Sequence, residues 1–136
     1  MKKQIVYLFA CLALFSACEK DPKIPNEESC NDCENDTYLY VSNEGPFGGT
    51  GSISKINVTK QTVYNDIYSS ANAEIPIGSI VQSLAFHNNI GYAVLNGGDQ
   101  ITTFNESTNE YLSSFSVTYP RYINISGDYG YVTSGN

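Results

Sequence analysis

The chain has 136 residues, with 7 Lys and Arg against 14 Asp and Glu, and a formal net charge of −7. This length holds one small domain at most. A charged fraction of only 15%, with 11 Tyr and 11 Gly, disfavours a helical bundle or a coiled coil and favours a β-rich protein with many turns. The acidic balance predicts no nucleic-acid partner, because no basic stripe is present to neutralise phosphates.

The first 17 residues have the pattern of a secretory signal peptide. A basic start precedes the apolar run 5–15, and two small residues come directly before Cys18. The run is too short to cross a bilayer, which needs about 20 residues. Leu-Phe-Ser-Ala-Cys at 14–18 resembles the lipobox of bacterial lipoproteins, which implies lipidation of Cys18 and a lipid anchor in the outer membrane. The alternative is an ordinary signal peptide that happens to be followed by a cysteine.

Residues 18–37 are predicted to form an acidic, disordered tether. They contain seven acidic residues and two prolines and almost no apolar residue, so they cannot bury a core. Acidic residues just after the cysteine resemble the surface-export signal of Bacteroidetes lipoproteins, which implies exposure on the cell surface. The alternative is a solvated spacer that carries no export signal.

Two cysteines of the tether, Cys30 and Cys33, form a C-x-x-C pair. In an exported protein such a pair is expected to form a local disulfide. Redox activity or half of a zinc site is the alternative, but the sequence offers no second Cys or His pair to complete four metal ligands.

From residue 37 onward no helical periodicity is visible. Short β-rich runs recur, and each is closed by Gly, Asn, Asp or Ser. The runs predict nine strands: Tyr38–Ser42, Ser52–Val58, Thr62–Ile67, Ile80–Phe86, Gly91–Leu95, Gln100–Phe104, Tyr111–Val117, Arg121–Ile125 and Tyr129–Thr133.

These strands repeat along the chain. The similar segments are 38–43 with 91–96 and 130–134, 52–57 with 100–105, and 82–88 with 121–127. Four short strands in about 40 residues are typical of a propeller blade. The sequence therefore predicts an all-β fold, with about two and a half four-stranded β-propeller blades over residues 38–136. A β-sandwich whose strands are similar by chance is the alternative.

The same region resembles a known family. Pro-Arg-Tyr-Ile at 120–123, leading to Tyr-Val-Thr at 131–133, resembles the YVTN-type β-propeller repeat. Together with residues 43–48 and 82–84, it resembles the Bacteroidetes surface lipoproteins with YncE-like, surface-layer-type propellers. The resemblance implies a ring of about seven blades, so the chain is expected to be the N-terminal part of a longer, truncated protein.

Two short segments depart from the family pattern. Ser134 stands where the repeat has Asn, and Ile80-Val81 replaces a turn that is expected to contain Asp.

The residues predict a binding module and no catalytic set, metal site or cofactor. The single histidine, His87, is expected in a turn, and the acidic residues show no spacing that pairs them. In a propeller, the loops after the Tyr-Val strands and the loops before the innermost strands open on one face. Eight residues of these loops are the predicted ligand-binding residues: Asn43, Glu44, Phe47, Gln82, Asn96, Asp99, Arg121 and Tyr122. Alternatively, these residues brace the blades and cap turns.

Three functions are compatible with these sequence features. The resemblance implies a surface protein that captures a nutrient, such as cobalamin or another cobamide, for a TonB-dependent transporter. The second is a structural or adhesive surface protein that binds a glycan or a protein. The third is an enzyme on a propeller scaffold whose site lies in the missing part.

Overall fold

The computed structural model describes residues 36–135. These residues form nine antiparallel strands, one short helix and one 3-10 turn at Asn96–Gly98, which confirms the predicted all-β fold. The elements are β1 (Tyr38–Asn43), β2 (Ser52–Asn57), β3 (Thr62–Tyr64), α1 (Ile67–Ala71), β4 (Val81–His87), β5 (Ile90–Leu95), β6 (Gln100–Asn105), β7 (Tyr111–Ser116), β8 (Pro120–Ser126) and β9 (Tyr129–Ser134).

The strands form three sheets in chain order. The first sheet is β1-β2-β3, the second is β4-β5-β6-β7 and the third is β8-β9. Each strand pairs antiparallel with the next strand of its sheet. Within the described residues no sheet closes on itself.

The hydrophobic core lies between the first and second sheets. Ile53 of β2 packs there with Val81, Leu95 and Phe104 of the second sheet, all fully buried. The ring of Tyr40 stacks on that of Phe86 with centroids 4.2 Å apart, which joins β1 to β4. Side chains alternate between the two faces of a strand, so Ala93 and Leu95 of β5 face this core, whereas Val94 of β5 and Ile101 of β6 are fully buried outside the core cluster.

The internal repeat is visible in the geometry as well as in the sequence. The first residues of β1 and β5 are 52 positions apart, and those of β5 and β9 are 39 apart. Val58 N donates to Thr37 O at 2.8 Å, and at the equivalent place Glu106 N donates to Asn89 O at 3.0 Å. The first and second sheets are therefore built on the same local plan.

The turns that follow β2 and β6 are also equivalent. Asn57 Oδ1 accepts from Lys60 N at 2.9 Å, and Asn105 Oδ1 accepts from Thr108 N at 3.0 Å. An Asn side chain that bonds to the backbone of a following residue stabilises such a turn without help from other elements. The repeated Asn therefore has a structural role in both sheets.

One expectation for this region is wrong. Residues 67–71 form helix α1, where the sequence predicts a strand that ends at Ile67 and no helix, and β3 stops at Tyr64. Five residues are too few to show helical periodicity, and an isolated helix of this length is unstable in water. The burial of Ile67 and Tyr68 in the core stabilises it, and Tyr68 meets Phe104 edge to face with centroids 6.2 Å apart.

Asp36 and Thr37, the last two residues of the predicted tether, lie among the described residues and form hydrogen bonds there. Asp36 Oδ2 forms an ion pair with Lys60 at 2.9 Å and accepts a hydrogen bond from Asn57 Nδ2 at 2.9 Å. Thr37 N donates to Thr59 Oγ1 at 3.1 Å. Both residues are therefore attached to the turn that follows β2.

The other N-terminal predictions lie outside the described residues. They are the signal peptide 1–17, lipidation of Cys18, most of the tether, and the state of Cys30 and Cys33. Across residues 36–135, no helix has the length and apolar character needed to span a membrane.

Candidate functional site

Gln82 and Arg121 occupy equivalent β-bulges. Val81 pairs with Leu95 and Ser83 with Val94, so Gln82 has no cross-strand partner. In the third sheet the pairing skips Arg121 in the same way. A bulge redirects the side chain of its extra residue and is common next to binding sites. Gln82 and Arg121 therefore hold the same position in the first strand of the second sheet and of the third sheet.

The residue before each of these strands has a left-handed backbone. Ile80 has φ +53° and Tyr119 has φ +46°, although neither is a glycine. Ile80 O accepts a hydrogen bond from Asn96 N at 3.0 Å, and Tyr119 O accepts one from Gly135 N at 3.1 Å. The matched strain and matched bonds define one repeated corner, which turns the chain sharply into the bulge.

Gln82 differs from Arg121 in its surroundings. Gln82 is half-buried, and its Oε1 is buried without a hydrogen-bond partner, as is Ser83 Oγ. An unpaired buried acceptor costs free energy, so a ligand or a water that donates to it would relieve a real deficit. Arg121 is exposed, so its positive charge is accessible to solvent.

Asn43 contributes to an internal network. Its Nδ2 donates to Ser52 Oγ at 3.2 Å and to Ser54 Oγ at 3.0 Å, and Ser54 Oγ in turn donates to Asn65 Oδ1. These bonds hold the end of β1 against β2. The alternative of a bracing role, which the sequence left open, therefore has direct support for Asn43.

Asn96 and Asp99 also contact the neighbouring sheet. Asn96 Nδ2 donates to Pro120 O at 3.0 Å, and Asp99 Oδ1 accepts from Tyr119 N at 2.8 Å. Both bonds join the turn after β5 to the segment that leads into β8. The two side chains thus position the bulge at Arg121.

The remaining predicted residues are exposed. Phe47 is 100% exposed at the tip of the loop after β1, Glu44 is exposed in the same loop, and Tyr122 is 61% exposed on the third sheet. Gly51 N of that loop donates to Gly78 O at 2.7 Å, which attaches the loop to the segment before β4. The loop after β1 and the segment before β4 are thus in contact through their backbones. The side chain of Phe47 makes no part of this contact and is fully exposed to solvent.

A cleft that the sequence did not indicate lies beside α1. It has a volume of about 610 Å³ and is lined by Tyr38, Lys55, Tyr64, Asn65, Ile67, Ser70, Ala71 and Asn109. This volume is within the usual range for ligand sites, about 300–1,000 Å³. The helix that forms one wall has no sequence signal, so sequence reasoning could not find the cleft.

A smaller cavity of about 220 Å³ lies between the turns that follow β4 and β8. His87, Asn88, Asp128 and Tyr129 are among its lining residues. It is below the usual size of a ligand site. The part of the chain that the structure describes contains no group of three or more His, Cys, Asp or Glu side chains that could hold a metal ion.

Among the described residues, Asp36 and Tyr68 have a clearly shifted pKa. Hydrogen bonds from Lys60 and Asn57 lower the pKa of Asp36 below its usual 3.8, while burial raises the pKa of Tyr68 above 10.0, with a smaller contribution from Tyr111. Neither group lies among the predicted ligand-binding residues, and both shifts follow from structural contacts.

Comparison with known proteins does not identify a family. No model of a known protein family matches the chain, and no curated protein is significantly similar to it in sequence.

Proposed function

We propose that this chain is a non-catalytic ligand-binding protein whose three sheets are consecutive blades of a YVTN-type β-propeller. The second sheet is a four-stranded antiparallel meander, and the first and third sheets repeat parts of it in the same order. Stacked four-stranded meanders are the building units of propellers. In such an assembly the first sheet corresponds to the second to fourth strands of a blade.

The observation that carries the proposal is the repeated bulge. Gln82 and Arg121 follow matched left-handed corners and stand at one end of two neighbouring strands. A repeated scaffold that holds different polar side chains in the same position is typical of binding surfaces made from loops on a rigid framework. Gln82 would supply an amide and Arg121 a cation to a polar ligand.

The resemblance to Bacteroidetes surface lipoproteins suggests the ligand and the location. A cobamide is large, polar and rich in amides, and it would suit a surface with an amide, an arginine and the exposed rings of Phe47 and Tyr122. We propose that the protein is anchored in the outer membrane through lipidated Cys18, faces the cell exterior and passes its ligand to a TonB-dependent transporter.

The binding test uses cyanocobalamin and the full chain, with binding followed by calorimetry. Gln82→Ala and Arg121→Ala are each expected to weaken binding about tenfold, the loss typical of one hydrogen bond to a charged or buried group. Asp128→Ala, on the turn between β8 and β9 at the other end of these strands, should bind like the wild type. Absence of binding at millimolar cyanocobalamin by folded wild-type protein would refute the cobamide assignment.

The anchor is tested separately in cells. Labelled palmitate should be incorporated into the wild-type protein and not into a Cys18→Ser variant. Equal labelling of the two proteins would show that Cys18 is not the lipidated residue.

A further inference from the structure

We propose a second binding site, for an acidic oligosaccharide, in the cleft between the first sheet, α1 and the turn that joins β6 to β7. Tyr38 begins β1 and Asn43 ends it, so this cleft lies toward the opposite end of β1 from the predicted ligand-binding loops. The cleft is more open than enclosed, which suits a chain of sugar units better than a small molecule that must be engulfed. The proposal does not depend on cobamide binding.

Lys55 provides the charge of the cleft. Its Nζ lies 4.1 Å from the centroid of the Tyr38 ring and 5.2 Å from that of Tyr40, so two aromatic faces hold the ammonium in place. Within the described residues Lys55 has no carboxylate partner, whereas Lys60 is paired with Asp36. An ammonium in a cleft without an acidic partner can form a charge-assisted hydrogen bond with a carboxylate of a ligand.

Asn109 provides a hydrogen-bond acceptor that lacks a donor. Its Oδ1 is buried and has no partner, although its main-chain N and O are both hydrogen-bonded, to Asn105 and Asn72. Buried polar atoms are nearly always satisfied, and Asn109 is a lining residue of the cleft, so rotation of its amide toward the cleft would let this oxygen accept a hydrogen bond from a ligand or from water. A sugar hydroxyl is a donor of the right kind.

The repeat shows that the fold does not require these residues. Lys55 pairs with Tyr40 and Tyr64 across the first sheet. In the second sheet the equivalent row is Tyr92, Thr103 and Ser113, where the Thr103 and Ser113 hydroxyls bond to each other at 2.8 Å. The strands thus form equally well without a lysine and without the second tyrosine.

Comparison of the first and second sheets also shows that α1 is an insertion into the repeated pattern of strands. The first residues of β2 and β4 are 29 positions apart, while those of β6 and β8 are 20 apart, and the additional residues include the helix. Ile67, Ser70 and Ala71 of this insertion line the cleft. The first sheet therefore departs from the repeat in two ways, by the insertion that contains α1 and by the cross-strand pair of Lys55 and Tyr64. Both departures line the same cleft.

The ligand class follows from the three kinds of group in the cleft. The rings of Tyr38 and Tyr64, about half exposed, can stack on the apolar face of a sugar ring. The side chains of Asn65, Ser70 and Asn109 can exchange hydrogen bonds with hydroxyls, and Lys55 can pair with a carboxylate. An oligosaccharide that contains uronic acid units presents all three kinds of group.

The test compares trigalacturonic acid with its neutral counterpart, galactotriose, by calorimetry on the full chain. We expect trigalacturonic acid to bind and galactotriose to bind at least tenfold more weakly, because the neutral sugar lacks the carboxylate. Lys55→Met should weaken the acidic ligand about tenfold and remove most of its dependence on salt. Lys55→Arg keeps the charge and should bind within a few-fold of the wild type.

Two more variants separate the cleft from general effects. Asn109→Ala should weaken binding, while Lys60→Met removes a cation outside the cleft and should leave binding unchanged. The proposal is overturned if folded wild-type protein does not bind trigalacturonic acid at millimolar concentration, if galactotriose binds equally well, or if Lys55→Met binds like the wild type. Near-ultraviolet circular dichroism confirms that each variant is folded, and Lys55→Gln takes the place of Lys55→Met if the methionine variant does not fold.

Discussion

The ring of Phe104 lies directly over Gly91, its cross-strand partner in the second sheet. A methyl group at Gly91 would stand 2.5 Å from Cε2 and 2.7 Å from Cε1 of the ring, with Cζ closer still. Phe104 is fully buried and meets Phe86 and Tyr68 edge to face, so the ring has no room to move away. The absence of a side chain at Gly91 is thus what allows the core aromatic to pack.

Gly91→Ala is expected to lower the free energy of unfolding by about 1–3 kcal/mol, the usual cost of overpacking a core. Gly98→Ala is the control, because a methyl group there would meet only ordinary contacts of 3.6 Å or more. Urea unfolding of the two variants and the wild type measures the difference. Equal stability of Gly91→Ala and Gly98→Ala would contradict the packing described.

Tyr119→Asn is expected to retain or raise the stability, by up to about 1 kcal/mol, because Asn tolerates the left-handed backbone better than Tyr does. The native residue has φ +46° and is 49% exposed, so little buried surface is lost. Tyr111→Asn is the matched control, since Tyr111 is 50% exposed in β7 without a positive φ. That control should be destabilising in urea unfolding, and a greater loss for Tyr119→Asn would refute the strain argument.

Asn72→Ala is expected to lower the free energy of unfolding by about 2–3 kcal/mol, because it removes three hydrogen bonds of roughly 1 kcal/mol each. Asn72 Nδ2 donates to Tyr68 O at 2.7 Å and to Asn109 O at 3.0 Å, and its Oδ1 accepts from Tyr111 N at 2.8 Å. These bonds attach the end of α1 to the second sheet. Asn124→Ala, at an exposed position in β8, should change the stability little, and equal effects of the two substitutions would argue against this attachment.

Asp36 is expected to make part of the stability dependent on pH. Because its pKa in the folded protein lies below the 3.8 of the free side chain, its contribution is present above pH 3.8 and is lost as the pH falls through the folded value. The difference in stability between the wild type and Asp36→Asn should therefore shrink between pH 6 and pH 2.5. Urea unfolding at several pH values measures this difference, and one that is constant with pH would be inconsistent with the ion pair to Lys60.

Tyr68 is expected to make part of the stability dependent on pH under alkaline conditions. Burial raises its pKa above 10.0, so its contribution is full below pH 10 and is lost as the pH rises through the folded value. Tyr68→Phe keeps the ring that packs against Phe104 and removes the ionisable group. The variant should lose less stability than the wild type between pH 8 and pH 11, and an equal loss would show that Tyr68 is not the group responsible.

Part of the candidate site could be predicted from the sequence. Gln82 and Arg121 align through their repeated context, and the structure places both at equivalent bulges. The roles of Asn43 and Asn96 could not be read in this way, because an amide in a loop can bind a ligand or brace the fold, and only its partners distinguish these uses. Both donate to atoms of the chain itself.

The strands and their order follow from local sequence, because alternation of apolar residues and the chemistry of turns act over a few residues. Tertiary structure alone decided the existence of α1, whose five residues are helical because Ile67 and Tyr68 find a core to enter. It also decided the cleft, because Lys55 and Asn109 are 54 positions apart in the chain and meet only when the first and second sheets pack. Local sequence cannot specify such a meeting, since it depends on burial shared by distant elements.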